Sequence, residues 1–189
     1  MRAVLKNGAG PSLAEVVDEL RSALVHAARF NLAMQVAWVS QNMGMVYARH
    51  GHTGRAVVCE ASAVYLAIGL PEGLGKESLR LIRSSLGTLG SSLQELGHYH
   101  QGVTCRSLMD RVGVYENCKQ SEDLIQSLNS RTYQGTTTWD EFPVTADEIR
   151  QLCRGYLDEV TADAPELKTF LQELDALSGG HLGRITAGV

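Results

Sequence analysis

No stretch of this chain is apolar for long enough to cross a bilayer. The richest, AVVCEASAVYLAIGL at 56–70, is broken by Glu60 and falls short of the roughly 20 residues that a spanning helix needs. Basic charge is also in short supply: 17 Lys and Arg stand against 21 Asp and Glu, for a net charge of −4, and no basic run is interleaved with stacking aromatics. That balance gives no broad attraction for phosphate backbones, so neither nucleic acid nor membrane is expected as a partner. The opening MRAVLKNGAGPS carries an apolar run of only three residues, without the hydrophobic region of a secretory signal, and a cytoplasmic location is expected.

Cysteine pairs are missing as well. The four cysteines, Cys59, Cys105, Cys118 and Cys153, are widely spaced with no Cys-x-x-Cys, which fits free thiols in a reducing compartment rather than a disulfide framework. Catalytic signatures are absent in the same way: there is no phosphate-cradling loop, no Gly-x-Ser-x-Gly elbow and no His-Glu-x-x-His helix. The run GLPEGLGKES (69–78) places a lysine after glycines, but at the wrong spacing for a phosphate cradle, and it reads as a loop. Asp158 with Glu159, and Glu122 with Asp123, are sequence neighbours that splay apart on a helix instead of converging as an acid/base pair. An enzyme is not expected, and no cofactor is implied.

Aromatics make up 6% of the residues, against 44% apolar and 20% charged, so the core must be built from Leu, Val and Ala. What the chain does contain is helical periodicity. Ser12 with Glu15 forms a capping box that opens a helix over 12–28, with Leu13, Val16, Val17, Leu20, Leu24 and Ala27 on one face. Helices follow over 33–50 and 55–68, turning at Gly51, and then over 78–96 and 101–115, turning at Gly97; 123–128 reads as one more short helix. RTYQGTTTWDEFP (131–143) reads as an irregular linker. Thr145 with Glu148 opens a further helix, Asp163 with Pro165 opens the last, and the segment 181–189 reads as a loose tail.

The chain also repeats itself. A shift of 46 residues superimposes Gly44 on Gly90, Gly51 on Gly97, His52 on His98, Val57 on Val103 and Cys59 on Cys105. Such self-similarity is the mark of stacked supersecondary units, and the two cysteines at one repeat position read as small buried filler.

The pattern Asn42-Met43-Gly44, Tyr47, Gly51, Ala56 and Ala63 resembles the tetratricopeptide repeat, a helix-turn-helix unit with small residues where its two helices approach closely. The second copy keeps Leu89, Gly90, Gly97 and Gly102 but has Leu93 for the tyrosine and Met109 for the second alanine, and the period exceeds the family's usual length. The resemblance covers about residues 36–115. It implies an all-α fold of antiparallel hairpins stacked as a short solenoid over 1–130, with units at about 33–69 and 78–115. The hairpin 144–180 is then expected to pack on the repeats as a cap, or to pair two chains into a homodimer.

It further implies an interaction module, an adaptor, chaperone or regulator holding a peptide or helix of another protein in its concave groove. The matching positions are Trp38, Gln41, Asn42, Met45 and Arg49, then Ser91, Gln94 and Glu95. Arg49 could clamp a carboxylate through two parallel hydrogen bonds, while Trp38 and Met45 suit a hydrophobic or mixed partner. The alternative takes the corner histidines His50, His52, His98 and His100 as metal ligands in an all-helical metal-binding or enzymatic protein. Solvent-exposed corner residues are the simpler account, and no metal is expected.

Overall fold

The computed structural model describes residues 11–69, 75–128 and 146–182. Among them lie seven helices and no strand: α1 (Leu13–Arg29), α2 (Ala33–Arg49), α3 (Thr53–Ile68), α4 (Lys76–Glu95), α5 (Tyr99–Leu128), α6 (Ala146–Ala162) and α7 (Pro165–Leu177). The all-α expectation holds. The linker 131–143 and the Thr145 cap lie outside the described residues.

The Ser12 capping box forms as read: the Glu15 N–H donates to Ser12 Oγ at 3.3 Å, and the Ser12 N–H donates to Glu15 Oε2 at 2.8 Å. At their C-terminal ends α2 and α4 close alike. Gly51 and Gly97 adopt φ of 75° and 90°, a region open to glycine because it lacks a Cβ. At the first corner the Gly51 N–H donates to the Ala48 carbonyl (3.1 Å) and the His52 N–H to the Tyr47 carbonyl (2.9 Å). At the second, Gly97 donates to Gln94 (3.0 Å) and His98 to Leu93 (2.8 Å). Both are Schellman motifs, so the 46-residue echo falls on matching backbone geometry at these two corners.

Two predicted boundaries need correction. The helix expected to stop near Tyr115, followed by a separate one at 123–128, is the single helix α5 running to Leu128; residues 116–122 contain no Gly or Pro to interrupt it. The tail predicted as loose over 181–189 is anchored at its second residue. Leu182 is buried in the core and donates its N–H to Asp175 Oδ1 at 2.8 Å.

The core centres on α3. Twelve of its residues are buried, among them Ala56, Val57, Val58, Ala63, Val64 and Ile68. A helix that is buried nearly all round must have neighbours on every side, and α3 packs against α2, α4, α6 and α7. The C-terminal hairpin therefore lies across α3, and α7 reaches on to α1, where Arg21 pairs with Glu173 at 2.8 Å. At the top of α3 the Arg55 guanidinium lies over the rings of Tyr47 (5.6 Å) and Phe170 (5.2 Å), which meet edge to face at 5.5 Å. That stack fastens α7 to the α2–α3 corner.

The two hairpins differ in how they close. In α4–α5 the backbones themselves cross: a Cβ on Gly102 would lie 2.7 Å from the Gly90 carbonyl oxygen and 2.5 Å from Gln94 Cγ. Lower down, Arg80 and Arg83 both reach the buried carboxylate of Glu116, at 3.2 and 3.1 Å. Because a carbonyl oxygen cannot swing aside as a side chain can, Gly102→Ala is expected to destabilise by about 1–3 kcal/mol. Gly155→Ala in α6, where a Cβ meets nothing within 4 Å, is expected to stabilise by about 0.5–1 kcal/mol. Urea denaturation of both variants checks this, and equal effects would mean that α4 and α5 do not cross at Gly102.

Candidate functional site

The face outlined by the sequence is carried by α2 and α4, which both pack on α3 and touch each other. Successive residues on a helix are turned by 100°, which separates the predicted set into different environments. Arg49 is exposed, and no ion pair engages it among the described residues. Trp38, Asn42 and Met45 are half-buried; Trp38 packs against the core, whereas Met45 does not belong to that cluster. Ser91 is exposed with its hydroxyl turned back to the Gly87 carbonyl at 3.1 Å. Gln94 accepts from Arg106 Nη2 at 3.1 Å, and Glu95 accepts from Thr53 Oγ1 at 3.1 Å, so both are engaged in holding the second corner to its neighbours.

Gln41 requires correction. It is not on the surface: only 1% of it is exposed, and neither atom of its side-chain amide has a hydrogen-bond partner. The reason is helical phase. Gln41 stands one turn before Gly44 and shares its stripe, so it turns inward while Asn42 beside it turns out.

That inward stripe meets a group that reading the sequence passed over. Glu60 of α3 is fully buried, and its side chain lies flat across Gly44, where a Cβ would come within 2.7 Å of Glu60 Cγ and Oε1. Both carboxyl oxygens lack a partner, as does Ser85 Oγ on α4. Burial pushes the Glu60 carboxyl well above the usual glutamate range; Ser85, which stands beside it outside hydrogen-bond geometry, offsets only part of this. The neutral acid is thus the form that this junction of α2, α3 and α4 favours. The available signal was the lone carboxylate inside an apolar run, one helix away from an unusual mid-helix glycine.

The corner histidines are divided by the fold. His52 and His98 line one open pocket of about 730 Å³ between the three corners, together with Arg55, Glu159, Asp163 and Glu166; His50 and His100 are exposed outside it. His98 Nδ1 lies 3.0 Å from Glu159 Oε1, and Gln101 Nε2 donates to the same carboxylate at 2.9 and 3.0 Å, an arrangement that ties α6 to the start of α5. His52 sets its ring edge-on to Tyr47 at 6.1 Å. Among the described residues no three His, Cys, Asp or Glu side chains converge in a way that could hold a metal ion.

The thiols of the described side chains lie inside the protein. Cys59, Cys105 and Cys153 are free and buried. Burial raises all three thiol pKa values, that of Cys105 to about 11, which disfavours the nucleophilic thiolate. Compared with protein-family models, with curated proteins and with solved structures, the chain matches none.

The contact between Gly44 and Glu60 can be tested by a double-mutant cycle. Gly44→Ala alone is expected to cost about 1–3 kcal/mol through overpacking. In a Glu60→Ala background the added methyl has room, and the two changes should couple by about 1 kcal/mol or more. Additive costs in urea denaturation would show that Glu60 is not what the missing Cβ accommodates.

Proposed function

We propose that the chain is a helical-repeat interaction module of the tetratricopeptide kind, taking a helix or short peptide of another protein on the face formed by α2 and α4. The single observation that carries this reading is the division of labour around α3. The C-terminal hairpin packs on α3 and α1, while the face presented by α2 and α4 keeps half-buried Met45 and Trp38 next to an unengaged, exposed Arg49. An aromatic and a thioether beside a free guanidinium suit a mixed partner segment, with an apolar side chain against Met45 and Trp38 and a carboxylate on Arg49. The matching corners at Gly51 and Gly97 add support, since a repeated helical hairpin calls for like corners.

The test uses residues that leave the core alone. Met45→Glu combined with Arg49→Glu is expected to reduce capture of the native partner from cell extract by tenfold or more, with the helical circular dichroism and melting temperature of the parent. The comparison is Gln172→Arg, on the exposed side of α7, which should capture the partner as the parent does. Undiminished capture by the Met45/Arg49 variant would move the binding face elsewhere on the molecule.

A further inference from the structure

The proposed interface leaves Glu60 unused, although it is the most unusual group in the molecule. Its two oxygens are sealed from solvent without a partner, in a junction that also leaves the Gln41 amide and the Ser85 hydroxyl unpartnered. Buried polar groups are nearly always hydrogen-bonded, and a cluster of exceptions calls for an explanation. A neutral acid can reside there at moderate cost, but a carboxylate would need a cation or several donors in bonding geometry.

The junction supplies neither. From α2 it is faced by Gly44, one turn along the helix from the buried Gln41; from α4 it is faced by Ser85. From α3 itself the adjacent titratable group is the Cys59 thiol, which burial keeps neutral. Arg55 bears on Cys59 and Arg21 on Tyr47, and among the described residues no charge from α2, α4, α6 or α7 bears on Glu60. The sides of this junction are not closed in the same way. α6 and α7 also pack on α3, whereas on α2 Gly44 puts no side chain against the carboxyl.

We propose that Glu60 is a proton-operated latch on the seam between α2 and α4. As the neutral acid it lies closed across Gly44; when its proton passes to solvent, the carboxylate leaves the junction to be hydrated, and α2 parts from α4. This is a local two-state element biased by one charge, and it stands whatever occupies the face above it. The sign follows from linkage. A carboxyl that holds its proton more tightly when closed gives full stability below the ordinary glutamate range, and the closed form then weakens about tenfold per pH unit up to the pKa of the closed state.

The full chain tests it. Amide hydrogen exchange, corrected for intrinsic rates, is followed from about pH 5 to about pH 9 while the carboxyls of ¹³C-labelled glutamates are titrated by NMR. Glu60 is expected to titrate above the surface glutamates, and peptides from α2 and α4 to gain opening by up to about tenfold per pH unit over that interval, with α7 unaffected. Glu60→Gln, which keeps the shape without the charge, should abolish the pH dependence. The proposal falls if Glu60 titrates with the surface glutamates, if protection of α2 and α4 is the same at every pH, or if Glu60→Gln keeps the dependence. Should that variant not fold, the parent's titration and exchange decide alone.

Discussion

Burial of α3 on all sides is the constraint on which the molecule depends. A surface helix needs one apolar stripe; α3 is apolar or small around nearly its whole circumference, so leaving any side open would expose a large patch to water. The neighbouring α2 and α4 cover part of it, and α6 and α7 of the C-terminal hairpin cover another part. The repeat shows how far the two units differ in cover. Val57 on α3 is fully buried, while its counterpart 46 residues on, Val103 on α5, is 60% exposed: the same residue at the same repeat position belongs in one unit to a helix packed on four others and in the other to a helix with an open face.

Local features were the legible ones. The Ser12 capping box, the helix ends at Gly51 and Gly97, the small residues Ala56 and Ala63 and the buried Cys59 and Cys105 could all be read because each is decided by a few neighbouring residues or by the repeat. The length of α5 was missed because Leu, Val and Met thin out after residue 115 while nothing there breaks a helix. The burial of Leu182 was missed for a different reason, since it depends on an Asp175 carboxylate brought near by the end of α7. No local pattern in HLGRITAGV announces that contact.

The candidate site was half legible. Reading α2 from the sequence placed Gln41 with Asn42 and Met45 on one surface, whereas the 100° turn between neighbours puts Gln41 on the stripe of Gly44, facing α3. The reading of Gly44 as a place where two helices come close was correct in position but incomplete in cause. What comes close is the Glu60 side chain, lying in the space a Cβ would fill. Nothing in the composition or spacing signals a protonated carboxyl, because its state is set by burial and by the lack of partners, and both are properties of three helices together.

The surface and the junction beneath it are therefore two sides of one helix. Asn42 and Met45 look outward from α2, Gln41 and Gly44 look inward, and the backbone between them is shared. A rigid apolar contact inside would lock α2 in place, since close-packed methyl groups tolerate little displacement. Unpartnered polar groups do the opposite. Gln41, Glu60 and Ser85 are each buried without a side-chain hydrogen bond and would recover such bonds in water, so their burial opposes the packing of α2, α3 and α4 that apolar neighbours favour. The two ends of this contrast meet on one helix: at its C-terminal end Tyr47 is fastened to α7 through the Arg55 stack, while one turn earlier Gly44 rests on a carboxyl that has no hydrogen-bond partner.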